Sequence, residues 1–234
     1  AKHLHVFQRT ANFSLPARNG PMDVERERRH KADYPARRRA AYDTPFAIGG
    51  YPRPTKSALE VSEEERNAAY EAKWQEGGSI SYLYTYTDLL VNKEANDTAS
   101  EFVRNKIGGI VRDPVTAEAL KPRGYPIFAR RPCLDSSYYE TYNLPQVHLI
   151  DLLNDDDIVE ITEKGVRLRK GGEIELDMLI LATGYDGLTG ALLNFDVVGR
   201  DGRTVKDKWK DGARSHLGLM MEGFPNLFMT TGPN

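Results

Sequence analysis

The sequence predicts an α/β fold in which a long helical insertion separates two groups of strands. Three apolar runs end in polar or glycine-containing turns, as buried strands do in α/β proteins: residues 4–10, 177–184 and 226–232. Helix-start and helix-stop signals dominate residues 22–120, and strand signals return after Pro126. We therefore expect strands near both ends of the chain, with helices between them.

Three helix starts can be placed within the insertion because each has a capping residue. A pair of glycines, Gly77 and Gly78, ends the first of these helices. The second has apolar residues at helical spacing within residues 98–107, and the third is a short helix through Leu120. The predicted starts are Ser62 with Glu65 as a capping box, Asn96 or Asp97, and Asp113 followed by Pro114.

The second group of strands has short connections between its members. These strands are predicted at residues 147–151, 158–162, 165–168 and 173–182. The short spacings between the middle strands indicate an antiparallel hairpin or meander. The last strand alternates at first and then becomes continuously apolar, as expected for a strand that passes from an exposed edge into a layered core.

Composition and charge restrict the function classes. The 234 residues are 40% hydrophobic and 28% charged, which is typical of a folded globular protein, and the net charge of -2 predicts no general attraction to nucleic acid or anionic membranes. A single cysteine, Cys133, excludes an internal disulfide, and no apolar run approaches the roughly 20 residues of a spanning helix. We expect a cytoplasmic protein. Because the sequence lacks an initiator methionine, we also expect an internal piece of a longer chain.

Two other kinds of site are not supported by the sequence. Acids are interleaved in the basic stretch 25–39, so we interpret it as a solvated helix with ion pairs and not as a nucleic-acid surface. His3 and His5 alternate on one face of the first strand, but no third ligand stands at a metal-binding spacing. The sequence therefore predicts no metal centre.

Two pairs of residues could bind anions. Arg9 and Thr10 follow the first apolar run, and an arginine at such a strand end can hold the 2′-phosphate of NADP. Arg130 and Arg131 precede a proline, and a fixed guanidinium can stabilise an oxyanion or a peroxide. Position alone favours a solvated arginine at residue 9 and leaves surface charges as an alternative for the second pair. The chain contains no G-x-G-x-x-G, so it has no phosphate-binding turn of its own.

Taken together, several segments resemble the Baeyer–Villiger monooxygenases of the single-chain, FAD- and NADPH-dependent type, which includes cyclohexanone, phenylacetone and steroid monooxygenases. The resemblance covers essentially the whole chain in the right order. The segments are VFQRTANFSLPARN, SALEVSEEE, EFVRNKI, GYPIFARRPCLDSSYYETYN, LDMLILATGYDGLTGAL and GFPNLFMTTGPN.

The resemblance implies a partial flavoprotein with two interleaved Rossmann-like dinucleotide-binding domains. It places the glycine-rich turns of both domains, and the family signature F-x-G-x-x-x-H-x-x-x-W-P, upstream of this sequence. The implied boundaries are 1–17 for the end of the first part of the NADPH domain, 18–126 for the helical insertion, 127–183 for the remainder of the NADPH domain and 184–234 for the start of the second half of the FAD domain.

The resemblance also implies roles for individual residues. Arg9 and Thr10 match the pair that binds the NADP 2′-phosphate, and Arg130 stands where the family commonly has a lysine that contacts the same phosphate. Arg131 matches the catalytic arginine. Thr183 and Gly184 match the crossover from the NADPH domain to the FAD domain and are expected to bind cofactor, while Trp209 is interpreted as a structural anchor.

The implied activity is the insertion of one oxygen atom next to a ketone carbonyl, which gives an ester or lactone. In this chemistry NADPH reduces FAD, and the reduced flavin and O2 form a C4a-peroxide that attacks the ketone. Arg131 would favour the anionic peroxide and stabilise the developing negative charge. The implied partners are a small ketone and O2, without nucleic acid or membrane, and the full-length protein is expected to be a monomer. We expect the 234 residues alone neither to retain FAD nor to oxidise NADPH.

Two alternatives remain open. The first is a related flavin enzyme that oxygenates nitrogen or sulfur through an electrophilic hydroperoxide, in which loss of Arg131 would affect sulfoxidation less than ketone oxidation. The second is a non-catalytic helical interaction module, which predicts no dependence on flavin or NADPH. The Thr-Gly turns at 183–184 and 231–232 argue against the second alternative, because such a module does not need them.

Overall fold

A computed structural model describes residues 1–44, 51–154, 156–170, 172–187 and 189–233. The chain divides into two compact units, Ala1–Glu175 and Leu176–Asn234, and each is described by itself. Strands and helices are mixed, and the first unit contains parallel strand pairs, so the predicted α/β fold class is confirmed. None of the described helices is both long and apolar enough to cross a membrane.

The first unit contains all the strands that the structure describes and most of the described helices. Its strands are β1 Leu4–Gln8, β2 Ser14–Pro16, β3 Cys133–Asp135, β4 Val147–Asp151, β5 Ile158–Ile161, β6 Gly165–Leu168 and β7 Glu173–Glu175. Its helices are α1 Val24–Ala32, α2 Tyr34–Tyr42, α3 Glu63–Glu76, α4 Ser79–Leu83, α5 Lys93–Ile110, α6 Pro114–Ala119 and α7 Tyr138–Thr141. The second unit contains α8 Gly190–Leu193 and α9 Val205–Lys208.

The strands before the helical part pair in parallel with strands that follow it. β1 pairs with β4 from Leu4 opposite Val147 to Gln8 opposite Asp151. β2 pairs with β3 in the same way. Parallel partners need a long crossover, and here the helices α1–α6 supply it. β5, β6 and β7 form an antiparallel sheet, which confirms the predicted meander.

One predicted strand ends early, and another is not formed. β7 ends at Glu175, and residues 177–187 form no strand; Ile180 is 78% exposed. Residues 226–232 also form no strand, although Met229 is buried in the core of the second unit. An apolar run becomes a strand only where another strand supplies hydrogen-bond partners, and none of the described strands pairs with either run.

Helices α3, α4 and α5 of the first unit pack around an aromatic core. Tyr70 on α3 stacks on Tyr82 of α4 with ring centroids 5.5 Å apart, and both contact Phe102 of α5. α5 buries residues spaced by four, as an amphipathic helix does. These buried residues of α5 include Ala95, Ala99, Val103 and Ile107.

The helix starts were predicted with mixed success. Ser62 caps α3, but Glu65 pairs with Lys56 and not with the backbone of Ser62, so only half of the capping box forms. α5 begins one turn earlier than predicted, because the side chain of Asn92 accepts hydrogen bonds from the first-turn N–H groups. The predicted cap Asn96 is instead buried inside that helix.

The remaining helices follow their local signals. Asp113 caps α6 by accepting a hydrogen bond from the Thr116 N–H at 2.7 Å, as predicted. α1 and α2 bury no residue, and Lys31 pairs with Glu27 in α1, which confirms a solvated helical stretch with ion pairs. In the second unit Trp209 is 5% exposed and donates its indole N–H to the Arg214 carbonyl, so it is the structural anchor that was predicted.

Candidate functional site

A pocket of about 630 Å³ lies at the carboxyl ends of the parallel strands β1 and β4. Arg9 and Thr10, which follow β1 directly, line one side of it. Residues 151–154, at the end of β4, contribute Asp151, Leu153 and Asn154. The carboxyl ends of parallel strands are where α/β proteins bind ligands, so the position predicted for Arg9 and Thr10 coincides with a concave surface.

The turn after β4 is fixed by Asp151, which is 7% exposed. Its carboxylate accepts hydrogen bonds from the backbone N–H groups of Leu153 and Asn154 and from the Asn154 side chain at 2.8 Å. The Leu152 N–H donates to the Gln8 carbonyl at 2.8 Å and continues the pairing of the two strands. The carboxylate is therefore occupied by its own turn, which forms one fixed wall of the pocket.

A third wall comes from α6 and the segment that follows it. The Gln8 side chain donates a hydrogen bond to the Ala119 carbonyl at 2.9 Å and attaches this segment to β1. The Glu118 carboxylate accepts from Lys121 at 2.8 Å and from Nε of Arg123 at 3.0 Å. These two hydrogen bonds hold the pKa of Glu118 below its usual range. All three charged side chains line the pocket.

The segment with Arg130 and Arg131 lies against the residues that follow Thr10. The Asn12 side chain donates a hydrogen bond to the Arg131 carbonyl at 3.3 Å. The guanidinium of Arg130 stacks over the ring of Tyr125, 4.5 Å from its centroid. Both arginine side chains are exposed. Neither is among the described residues that line the pocket at the ends of β1 and β4, which we call the Arg9 pocket. The structure thus brings Arg131 into contact with Asn12, two residues after Thr10, but the two predicted pairs do not line one pocket.

Thr183 and Gly184 belong to the second unit and are exposed within it. Gly184 has φ +89°, a left-handed conformation that favours glycine, so the chain does turn there as the sequence suggested. The turn does not end a strand, since residues 177–187 form none. Tyr185, the next residue, is fully exposed.

Sequence reasoning missed the residues on two walls of the pocket. The polar residues after β4 could have been found, because parallel strands place their carboxyl ends at the same edge of a sheet. Lys121 and Arg123 gave a weaker signal, two cations around Pro122 immediately after a short helix. Their place in the pocket depends on the contact between Gln8 and Ala119, which no local pattern indicates.

Three histidines lie close together where β1 pairs with β4. His148 on β4 stands opposite His5 on β1, with ring centroids 4.9 Å apart, and stacks on His3 as well. Burial and the neighbouring histidines hold the pKa of His5 below its usual value. In the part of the chain that the structure describes, no group of three His, Cys, Asp or Glu side chains is arranged to hold a metal ion.

Solved structures with the same fold belong to flavin monooxygenases. No protein-family model matches the chain. An oxidized steroid monooxygenase bound to NADP is 45% identical, with a TM-score of 0.88, over 100% of this chain and 44% of that one. The OTEMO complex with FAD and NADP is 39% identical, with a TM-score of 0.91, over 100% of this chain and 43% of that one. The fold is therefore that of a flavin- and NADP-binding monooxygenase.

Curated relatives narrow the class to a family. Cyclohexanone 1,2-monooxygenase of Acinetobacter sp is 41% identical and a Baeyer–Villiger monooxygenase of Pseudooceanicola batsensis is 40% identical, each over 100% of this chain and 42% of the relative. Phenazine N-monooxygenase PhzNO1 of Lysobacter antibioticus is 39% identical over 100% of this chain and 43% of the relative. Over its whole length the chain is therefore similar to Baeyer–Villiger monooxygenases, and it spans about 42% of the length of these curated relatives.

Proposed function

We propose that the protein is a Baeyer–Villiger monooxygenase, which uses FAD, NADPH and O2 to convert a ketone to an ester or lactone. Two observations carry this proposal: the chain matches such enzymes over its full length, and Arg9 and Thr10 line a pocket at the carboxyl ends of two parallel strands. When bound, FAD supplies oxygen activation and NADPH supplies the electrons. The chain's own residues bind and orient the coenzyme and stabilise the negative charge that develops during the reaction.

The Arg9 pocket suits the phosphorylated adenosine end of NADPH. A guanidinium can donate two parallel hydrogen bonds to a phosphate, and the Thr10 hydroxyl can add a third. Among the described residues the pocket has three cations, Arg9, Lys121 and Arg123, and two carboxylates. One of these carboxylates, that of Asp151, is occupied by its own turn. The local charge therefore favours an anion.

Arg131 is the proposed catalytic residue. The Asn12 side chain donates a hydrogen bond to the Arg131 carbonyl and fixes its backbone, while the Arg131 side chain is exposed. The guanidinium is therefore a permanent cation attached to a fixed segment of backbone. A cation preorganised beside the reacting atoms stabilises the negative charge that develops in ketone oxidation. Arg130, stacked on Tyr125, is proposed to contribute to the NADPH site from the neighbouring position.

We also propose the domain boundaries implied by the resemblance: 1–17 for the end of the first part of the NADPH domain, 127–183 for its remainder, 18–126 for the helical insertion, and 184–234 for the start of the second half of the FAD domain. Both long-range strand pairings support this arrangement, since they join residues on either side of the insertion. Thr183 and Gly184 then mark the crossover, and the positive φ of Gly184 allows the chain to change direction there.

N-oxygenation is the second candidate, because a phenazine N-monooxygenase is nearly as similar to the chain as the ketone-oxidising relatives. The two chemistries make different demands on Arg131. Ketone oxidation needs a nucleophilic, anionic oxidant, which a nearby cation stabilises, whereas oxygenation of nitrogen or sulfur needs an electrophilic one. Arg131 should therefore matter more for the first reaction than for the second.

The test is Arg131→Ala in the full-length gene product. We expect ketone oxidation to fall by about 10²–10³-fold or more, while bound flavin is retained and sulfoxidation falls less. The matched control is Arg167→Ala, which removes another exposed arginine and should leave both reactions unchanged. Unchanged ketone oxidation in Arg131→Ala would contradict the catalytic assignment. A purified protein without flavin or NADPH dependence would instead favour the interaction-module alternative.

A further inference from the structure

Two hydrogen bonds tie the loop after β1 to the segment after α6. At one end, the Gln8 side chain donates to the Ala119 carbonyl at 2.9 Å. At the other end, the Tyr125 hydroxyl donates to the Ala11 carbonyl at 2.7 Å. The short stretches enclosed by these two contacts, residues 9–10 on one side and 120–124 on the other, are consequently held facing one pocket.

The second stretch directs its cations into this pocket. Leu120 is 1% exposed and Pro122 is buried, so the alternate residues Lys121 and Arg123 are turned outward. Nε of Arg104 donates to the Pro122 carbonyl at 2.9 Å and fixes the backbone from behind. The two cations are therefore attached to a braced segment and not to a free loop.

Glu118 sets the direction of both cationic side chains. It pairs with Lys121 and with Arg123, and all three side chains line the pocket together with Arg9. One carboxylate cannot neutralise two cations. A lysine has three donors and an arginine five, so each keeps donors available for a ligand. This wall therefore remains positively charged overall.

We propose that Lys121 and Arg123 are specificity-determining residues for the coenzyme, acting with Arg9 on the 2′-phosphate that distinguishes NADPH from NADH, and that Glu118 positions them. The inference rests on the proposed function of the Arg9 pocket. A phosphate monoester carries nearly two negative charges at pH 7, which Arg9 by itself leaves only partly compensated within this pocket. Lys121 and Arg123 compensate the remaining negative charge of the phosphate.

The experiment is calorimetric titration of the full-length gene product with 2′,5′-ADP, which carries the 2′-phosphate, and with 5′-AMP, which lacks it. We expect Lys121→Ala and Arg123→Ala each to weaken 2′,5′-ADP binding about fivefold, and the double variant about 20-fold. Binding of 5′-AMP should change less than twofold. Arg123→Gln, which keeps length and polarity, should lose as much as Arg123→Ala.

Two further variants distinguish failure of this inference from failure of the proposed NADPH site. Arg167→Ala, a matched control that removes an arginine paired with Glu160 outside the pocket, should leave both affinities unchanged. Arg9→Ala should weaken 2′,5′-ADP binding at least tenfold. If Arg9→Ala weakens binding and the double variant does not, the inference is overturned and the proposed NADPH site stands. If Arg9→Ala also has no effect, the proposed site fails as well. Equal losses for 2′,5′-ADP and 5′-AMP in the double variant would also overturn the inference.

Discussion

Two apolar regions of the molecule have opposite exposure. In the helical part of the first unit, Tyr70 and Tyr82 are 0% and 1% exposed. In the second unit, the run Met178–Leu181 is largely exposed, and Tyr185 beside it is 102% exposed. The sequence predicts burial for the run Met178–Leu181, and the structure leaves it exposed. The difference shows that hydrophobicity creates a tendency to be buried, while neighbouring elements decide whether burial occurs.

The packed region has partners for both its apolar and its polar atoms. Tyr82 stacks on Tyr70, and its hydroxyl donates to the Ala99 carbonyl at 2.9 Å. Burial raises the pKa of Tyr70 to about 12, as expected for a phenol enclosed by other side chains. Residues 177–187 have no such surroundings, since no described strand pairs with them.

The largest effect expected from this comparison concerns the same residue type in the two regions. Tyr82→Ala should lower the free energy of unfolding by about 3–5 kcal/mol, because it opens a cavity and removes a buried hydrogen bond. Tyr185→Ala should change it by less than about 0.5 kcal/mol. Trp74 lies in the core of the first unit, so urea titration followed by its fluorescence in a Trp209→Phe background measures the Tyr82 effect. The Tyr185 effect is read from Trp209 in a Trp74→Phe background.

A loss of less than 1 kcal/mol for Tyr82→Ala would mean that the aromatic cluster is loosely packed. A loss of more than 2 kcal/mol for Tyr185→Ala would mean that this side chain is covered in solution. Either outcome would contradict the difference in burial between the two regions.

The second effect concerns a buried polar residue. The Asn96 side chain donates to the Leu89 and Ile127 carbonyls at 2.8 and 2.9 Å and accepts from the Ser100 hydroxyl. Asn96→Ala should lower the free energy of unfolding by about 2–3 kcal/mol, because buried carbonyls lose their partners. Asn194, which makes a single exposed hydrogen bond to Asp186, provides the control, and its replacement by alanine should have little effect in urea titrations. A neutral Asn96→Ala would show that water enters this part of the core.

The third and smallest effect concerns the half-buried pair of strands β1 and β4. The pKa of His5 is lowered by burial and by His148 and His3, so the unfolded chain binds the proton more readily than the folded one. This contribution to stability is complete above the unfolded pKa of about 6.5 and is lost as pH falls toward the lower folded pKa. The urea midpoint should therefore drop between pH 7.5 and pH 5.5. His5→Gln should reduce that drop, and an equal drop in both proteins would contradict the assignment.

Much of the fold could be predicted because its signals are local. β4 and β6 have the predicted bounds, and the Asp113 cap of α6 lies where proline and aspartate indicated. The strand predicted at 173–182 begins as predicted but ends at Glu175, because its continuation depends on a partner strand, which a local pattern does not reveal. The start of α5 was missed for a different reason, since a polar first turn concealed the cap at Asn92.

The candidate site also has one part that local sequence signals predict and one part that they do not. The location of Arg9 and Thr10 in a ligand-sized pocket could be predicted, because a residue directly after a buried strand lies at the ligand-binding edge of a sheet. The wall with Lys121 and Arg123 could not, because it is held there by side-chain contacts to residues more than a hundred positions away. Tertiary contacts, and not composition, determine which cations share the pocket.

The most direct test of the central claim is a crystal structure of the full-length gene product with FAD and NADP+ bound. We predict that the 2′-phosphate lies in the pocket at the ends of β1 and β4, within hydrogen-bonding distance of the Arg9 guanidinium and the Thr10 hydroxyl, with Lys121 and Arg123 on the opposite wall. A 2′-phosphate bound elsewhere, with this pocket free of the coenzyme, would contradict the account.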